Sequence, residues 1–291
     1  FKKSKKNLDV EYIVIDEISM IGAKTINKFE SLLRHITGNN ELPFGGIKII
    51  VYGDMYQLDA IGDQNFTYAT VFEGRHIDFE NRNKSYRHRD DAVFASLLKR
   101  ARLNKLTVSD IDVLNTRVVK IPENTLQLYS TNKDVERLNK KVFDSCKGAI
   151  IPLDSIYSGR GDILLNQYKK DNHIVDNVKE GLVCMVRANY PNLEFVNGTI
   201  CKIVGIFGKS LKVDVGGVVK VLPKRRYKDE NNNCFALWPL SIYAASTVHK
   251  SQGLTIDNVA VCSFRDSKQL YVAISRVRAL KDLYLKNRIP Y

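Results

Sequence analysis

Tyr12-Ile13-Val14-Ile15-Asp16-Glu17-Ile18-Ser19-Met20 is a short apolar run that ends in two adjacent carboxylates. Residues 11–15, rich in β-branched side chains, predict a buried strand. Working outward, Ile26, Phe29, Leu33 and Ile36 recur at helical spacing, which predicts a helix over 23–37. Pro43-Phe44-Gly45-Gly46 breaks the chain, and Ile47-Lys48-Ile49-Ile50-Val51-Tyr52 predicts a second strand. Strand, helix and strand in this order form a βαβ unit, so the two strands are expected to be parallel neighbours. Ligands of such sheets bind at the carboxyl ends of the strands. Asp16-Glu17 and Gly53-Asp54 both fall at those ends and are expected to lie close together.

The 291 residues give room for about two domains. A composition of 44% apolar and 26% charged residues is that of a globular protein. The 45 Lys and Arg exceed the 32 Asp and Glu, for a net charge of +13. Such an excess points to a polyanionic partner, above all nucleic acid. The cysteines (Cys146, Cys184, Cys201, Cys234, Cys262) form no C-x-x-C pair and mostly sit in apolar runs. They read as reduced thiols of a cytosol-like or nucleus-like compartment. No apolar run approaches the roughly 18 residues needed to span a membrane. No apolar stretch follows Phe1-Lys2-Lys3-Ser4-Lys5-Lys6, so no signal peptide is read there. A chain that starts on Phe is expected to begin earlier in nature.

Beyond the first unit, helices are predicted over 90–103 and 132–145 and a strand over 126–129. Residues 182–222 hold short β-rich runs broken by glycines, as in a small barrel or meander. Between 196 and 230 there are eight Lys/Arg and three Asp/Glu, so this insert is basic. Residues 223–233 read as an exposed polar connector. Strands are then predicted near 240–244, 258–263 and 282–286, with a helix near 267–277. Gly205-Ile206-Phe207-Gly208-Lys209-Ser210 ends like a phosphate loop, but Ile203 stands where the first glycine belongs. The alternation after it is that of a strand, so a hairpin turn is expected.

Four segments carry candidate chemistry. Asp16 and Glu17 suit a hard cation and the water attacking a phosphoryl group. Read alone, they are equally a solvated strand end. Gln57, in Gly53-Asp54-Met55-Tyr56-Gln57-Leu58, is placed to report on a γ-phosphate, or is a plain loop amide. Thr247-Val248-His249-Lys250-Ser251-Gln252-Gly253-Leu254-Thr255 combines hydroxyls, a cation and a glycine, which permit close approach to phosphates. Its plain reading is a helix that ends at Gly253. Tyr271-Val272-Ala273-Ile274-Ser275-Arg276 offers a guanidinium on a helix, an arginine finger or a surface ion-pair residue.

In their order, these segments resemble the superfamily-1 DNA helicases, specifically the 5′→3′ PIF-type branch and its RecD-like relatives. The matching strings are VIDEISM (from Val14), PFGG followed by GDMYQL (from Pro43 and Gly53), YSTNKDVERLN (from Tyr129), FVNGT (from Phe195), TVHKSQGLT (from Thr247) and YVAISRVR (from Tyr271). The resemblance implies an α/β fold of RecA-like P-loop helicase domains, the first incomplete, with a small Src-homology-3-like β-barrel inserted in the second. The implied boundaries are 1–84 for the first domain, 85–190 with 239–291 for the second, and 191–238 for the insert. By resemblance, ATP and Mg2+ are the cofactors and Asp16 is the metal ligand. Glu17 activates water, Gln57 senses the γ-phosphate and Arg276 is the finger. Arg87 is the γ-phosphate arginine, with Arg82 and Arg89 as neighbouring alternatives and His88 in place of the family's glutamine. Gly253 joins the nucleotide contacts. Thr247, His249, Lys250, Ser251 and Gln252 line the DNA path, and Lys209 is a further DNA candidate. After Gln57 the family's L-P-P-V is replaced by Leu58-Asp59-Ala60-Ile61, which leaves the nearby DNA contacts open.

The implied activity is ATP-driven translocation on single-stranded DNA with unwinding of forks, in DNA repair, recombination, replication and telomere maintenance. RNA–DNA hybrids and G-quadruplexes stay open as substrates. A monomer on DNA is expected, with no membrane partner, in an intracellular reducing compartment (nucleus, cytoplasm, or a viral or bacterial cytosol). The family's G-x-x-x-x-G-K-[ST] loop is absent from the ten residues ahead of the first strand. The 291 residues alone are therefore expected not to turn over ATP. The alternatives are a non-catalytic nucleic-acid-binding helicase remnant, or one half of a split helicase.

Overall fold

The computed structural model describes residues 10–73, 80, 86–123, 125–191, 193–208 and 210–291. In chain order the strands are β1 (Tyr12–Ile15), β2 (Lys48–Val51), β3 (Leu126–Tyr129), β4 (Ile150–Pro152), β5 (Ile156–Ser158), β6 (Asn177–Lys179), β7 (Val183–Val186), β8 (Ile200–Phe207), β9 (Ser210–Val215), β10 (Val218–Leu222), β11 (Arg225–Lys228), β12 (Cys234–Leu237), β13 (Leu240–Ile242), β14 (Ala245–Thr247), β15 (Val259–Val261) and β16 (Leu283–Leu285). The α-helices are α1 (Ala23–Thr37), α2 (Ala92–Arg102), α3 (Val108–Asn115), α4 (Asn132–Ser145), α5 (Gly161–Asn172), α6 (Val248–Ser251) and α7 (Ser267–Ile274). The chain divides into two compact units, one of residues 1–113, 264–280 and 290–291, the other of residues 114–263 and 281–289.

In the first unit β1 and β2 pair in parallel, with Ile13 opposite Ile49 and Ile15 opposite Val51. The expected βαβ unit is present, because α1 turns its Ile26 and Leu33 onto a core shared with Ile18, Phe44 and Phe66. Gly38 ends α1 at φ 72°, the left-handed stop that a helix C-terminus favours. The Asp91 carboxylate caps α2 by accepting from Phe94 N at 2.9 Å. Phe94, Leu97, Leu98 and Ala101 bury one face of α2, which packs against α7. α3 escapes sequence prediction because it is short and starts from a Thr-Asp cap rather than an apolar stripe. Thr107 Oγ1 accepts from Asp110 N and Asp110 Oδ2 accepts from Thr107 N, a reciprocal capping box.

The second unit holds a four-stranded parallel sheet in the order β14-β3-β15-β16. α4 packs on β14 and β3, with its N-terminus capped by Thr131. A five-stranded antiparallel sheet follows, ordered β10-β9-β8-β7-β13. Its core gathers Val186, Leu211, Val213, Leu222, Trp238 and Leu240. The Trp238 indole donates to the Leu222 carbonyl at 2.8 Å, so the one polar atom of that ring is satisfied. The strand predicted near 240–244 is β13, and a second short strand, β14, follows it directly without having been predicted. β13 joins the antiparallel sheet and β14 the parallel one, and burial on both sides hides the break from periodicity. The segment that ends like a phosphate loop is the expected hairpin: β8 ends at Phe207 opposite Ser210, with Gly208 at φ 63° in the turn. Lys209 lies outside the described residues.

Residues 223–233 are not a plain connector. β11 pairs with β12, and β12 with β5, in a third sheet of the same unit. Arg225-Arg226-Tyr227-Lys228 carries no apolar alternation, so its strand character comes from pairing rather than pattern. The loop after it is held by Asp229 Oδ1, which accepts from Asn231 N and Asn233 N. Among the described residues no helix is long and apolar enough to cross a membrane, and all five thiols are free.

Candidate functional site

Asp16 and Glu17 follow β1 directly. Asp16 Oδ1 accepts from the Glu17 backbone N–H at 2.8 Å, and Glu17 stands at φ 51°, ψ 43°. A non-glycine residue in that left-handed region carries about 1–2 kcal/mol of strain. Strain of this kind collects where the backbone must aim a side chain. The neighbouring strand tip lies against it. Ile18 N donates to the Tyr52 carbonyl at 2.9 Å. Gly53 permits that approach, since a Cβ there would stand 2.9 Å from Ile18 Cγ2 and 3.0 Å from Ile18 N. The two loops predicted to meet are thus in van der Waals contact.

The loop after β2 is organised by Asp54. Its carboxylate takes both oxygens to Arg102 Nε at 3.0 Å and accepts from Tyr271 Oη at 3.1 Å. Burial pushes the Asp54 carboxyl up, but the Arg102 and Tyr271 bonds outweigh it, and its pKa is lowered. The Arg102 guanidinium lies over the Tyr56 ring, 4.4 Å from its centroid. Gln57 N donates to the Asp54 carbonyl at 2.9 Å, and its side-chain amide donates to Asp54 Oδ2 at 3.4 Å. That leaves Gln57 Oε1 buried and without a hydrogen-bond partner among the described residues; Ser19 Oγ is in the same condition. An orphaned buried acceptor is a group waiting for a donor that the protein does not supply.

Arg276, whose plain reading was a surface ion-pair residue, is 2% exposed. Nε donates to the Val272 carbonyl at 2.7 Å, and Nη2 donates to Ser275 Oγ at 2.8 Å. Burial, and then the charge of Arg87, lower its pKa to about 10, while Tyr271 and Glu17 act in the opposite sense. Arg87 is half-buried and donates to the Ser275 carbonyl at 3.1 Å. Burial lowers its pKa too, and the Glu17 charge again acts against the shift. His88 is buried, with Nε2 3.0 Å from the Val277 carbonyl, and burial lowers its pKa. Of the alternatives to Arg87, Arg89 is exposed beside Asp90 and Arg82 lies outside the described residues. One carboxylate, two guanidiniums and an orphaned amide oxygen therefore share the first unit.

Such a set can orient a water and steady negative charge on phosphoryl oxygens. Among the described residues no group of three or more His, Cys, Asp or Glu is placed to hold a metal. Asp16 supplies a strand-tip carboxylate of the kind that Mg2+ uses when phosphates and water complete its shell. The donor set therefore fits a magnesium–nucleotide pair.

The 247–255 segment belongs to the second unit. Thr247 caps α6 by accepting from Lys250 N at 3.3 Å. The short helix stops before Gly253, which stands at φ 78°. Ser251 is fully buried and donates to the Val248 carbonyl, whereas His249, Lys250 and Gln252 are partly open. Lys250 Nζ donates to the Asp171 carbonyl at 2.9 Å. The polar hub that sequence reasoning missed is Asp54 with Arg102 and Tyr271. Asp54 was visible as the residue after a strand-tip glycine, but nothing in the chain links it to positions so distant.

Residues 2–74 match the model of the PIF1-like helicase family. ATP-dependent DNA helicase Pif1 of Bdellovibrio bacteriovorus is 30% identical over 293 residues, covering 95% of this chain and 66% of that protein. ATP-dependent DNA helicase PIF1 of Danio rerio is 28% identical over 306 residues, covering 96% of this chain and 47% of that protein. The chain thus spans about half to two-thirds of the length of these relatives. A Bacteroides Pif1 helicase crystallised with ADP-AlF3 and single-stranded DNA has the same fold, with a TM-score of 0.73 at 22% identity over 97% of this chain and 72% of that one. This likeness identifies the α/β architecture as that of RecA-like helicase domains. With the strand-tip carboxylates inside the matched segment and the relatives aligned along nearly all of its residues, this chain belongs to the PIF1-like helicase family.

Proposed function

We propose that this chain is part of an ATP-dependent 5′→3′ DNA helicase that couples hydrolysis to movement along single-stranded DNA. The observation that carries the reading is the meeting of the two strand-tip loops in the first unit, where Ile18 N donates to the Tyr52 carbonyl at 2.9 Å beside Asp16-Glu17 and Gln57 Oε1 is buried without a hydrogen-bond partner among the described residues. In this reading Glu17 orients and deprotonates the attacking water. Gln57 Oε1 takes a hydrogen bond from that water. Arg87 and Arg276 stabilise charge on the γ-phosphoryl oxygens. Bound Mg2+, held through Asp16, would neutralise the β- and γ-phosphates. Residues 1–84 belong to the first RecA-like domain, 85–190 with 239–291 to the second, and 191–238 to a Src-homology-3-like insert. Thr247, His249, Lys250, Ser251 and Gln252 line the DNA path, with the buried Ser251 bracing the turn through the Val248 carbonyl, and Gly253 faces the nucleotide. Affinity comes mainly from phosphates, in keeping with the net charge of +13, and falls steeply with salt. Free thiols throughout suit an intracellular, reducing compartment.

The test is DNA-stimulated ATP hydrolysis by these residues in a polypeptide that also supplies a G-x-x-x-x-G-K-[ST] loop. Hydrolysis that is lost in Glu17→Gln while nucleotide binding persists supports the reading. Loss of both together makes Glu17 a structural residue. Equal hydrolysis in the variant sinks the assignment.

A further inference from the structure

In the second unit, three cationic or titratable side chains gather where α5 ends. Arg187 follows β7 and is locked by its backbone: N donates to the Pro239 carbonyl at 2.7 Å, and its carbonyl accepts from Tyr168 Oη, on α5, at 3.1 Å. Its Nε donates to buried Ser241 Oγ on β13 at 2.8 Å. The two terminal guanidinium nitrogens have no protein acceptor among the described residues. Lys250 comes from α6 and spends one of its three donors on the Asp171 carbonyl at the last turn of α5. His173 caps that helix at φ 52°, and its Nε2 is buried with no hydrogen-bond partner among the described residues.

These groups feel one another: the charges of Lys250 and Arg187 both act on His173, and that of Arg187 on Lys250. No carboxylate lies within ion-pair distance of any of the three among the described residues. The carboxylates that act from further off are Asp171 on Lys250 and Glu136 on His173, and none acts on Arg187. Gathering like charges in a half-dehydrated place without a counter-charge costs free energy, which an anion that accepts their free donors recovers. Two unspent guanidinium nitrogens and an ammonium make a fork-and-point arrangement that matches a phosphate.

We propose that Arg187, Lys250 and His173 form a subsite that grips one phosphodiester of a single-stranded nucleic acid. The subsite deepens the nucleic-acid reading above and depends on it. Arg187 supplies the directional contact, Lys250 the point charge, and His173 a proton that binding draws in. The charged groups facing His173 are Lys250, Arg187 and Glu136. Burial and then the two cations lower its pKa, and a phosphate beside it reverses part of that shift.

The experiment is fluorescence anisotropy of a labelled oligothymidylate with the 291-residue chain over a salt series. Arg187→Gln is expected to weaken binding about five- to twenty-fold and to flatten the log–log salt slope by about 0.7, the release of one phosphate's counterions. Arg187→Lys restores the slope but only part of the affinity, because the charge returns without the fork. His173→Gln removes the gain in affinity that the unaltered chain makes as pH falls from 7.5 to 5.5. Circular dichroism checks that each variant is folded. If Arg187→Gln unfolds, Arg187→Lys and His173→Gln decide alone: full affinity in the first with an unchanged pH response in the second overturns the subsite. An unaltered chain that binds no oligothymidylate overturns the nucleic-acid reading itself. Binding that all folded variants match in affinity and slope overturns the subsite and leaves that reading standing.

Discussion

The two cationic sets of this molecule are built on opposite plans. In the first unit, Arg87 and Arg276 sit with a carboxylate whose charge acts on both, and their nitrogens are engaged by the Ser275 and Val272 carbonyls and the Ser275 hydroxyl. In the second, Arg187 and Lys250 keep unspent donors, and the nearby carboxylates act only from a distance. The first set has its guanidiniums held by those carbonyls and that hydroxyl, so they are oriented before any ligand arrives. That suits groups that must meet a transition state without rearranging. The second set is left short of negative charge, so it gains most from an anion brought from outside. Catalysis and grip ask different things of arginine, and local neutralisation separates them.

Arg276 separates the two sets most sharply. Arg276→Ala is expected to lower DNA-stimulated ATP turnover by about 10³–10⁵, as loss of an arginine finger does, with oligothymidylate affinity nearly unchanged. Steady-state hydrolysis beside anisotropy checks it, in the form that carries a phosphate loop. Glu17→Gln is expected to cost about 10²–10⁴ in the same assay. It also strips the first set of its counter-charge and makes it resemble the second. Nucleotide affinity that holds or rises in this variant sharpens the contrast, and affinity that collapses erases it.

Asp54 tests whether the first unit's rigidity is electrostatic. Asp54→Ala leaves Arg102 and the Tyr271 hydroxyl without their acceptor, and about 1–3 kcal/mol of stability is expected to go with it, read from thermal unfolding. The sign with pH follows from the lowered carboxyl. A depressed pKa contributes stability that is full above the unfolded value of 3.8 and is lost as pH falls through the folded one. The variant and its parent therefore converge in acid below that range. The smallest effect belongs to the surface pair of Lys268 and Asp59, whose side chains are 41% and 49% exposed. Asp59→Ala is expected to change stability by less than about 1 kcal/mol.

Most of what positions the first site was legible in the chain. Apolar runs ending in Asp16-Glu17 and Gly53-Asp54 placed both loops at one edge of a parallel pair, because strand order in a βαβ unit leaves little choice. The pairing of Arg87 with the Ser275 carbonyl was not legible, since no local pattern records a contact between residues so far apart in sequence. Arg187 was invisible for a different reason. It interrupts an apolar run as any snorkelling arginine would, and only its partners tell a spent guanidinium from an unspent one. β11 hid because its residues are chosen for charge rather than burial, and a strand without alternation has no signature of its own.

The left-handed backbone at Glu17 sets the chain's chemistry against its durability. Glycine would relax that position. Replacing Glu17 with it would relieve that strain, but it would leave Arg87 and Arg276 without the charge that acts on both and the site without a group to activate water. Strain relief and the loss of a counter-charge thus oppose each other at one residue, so any engineering of this family member for robustness has to hold position 17 fixed and look for its gains elsewhere.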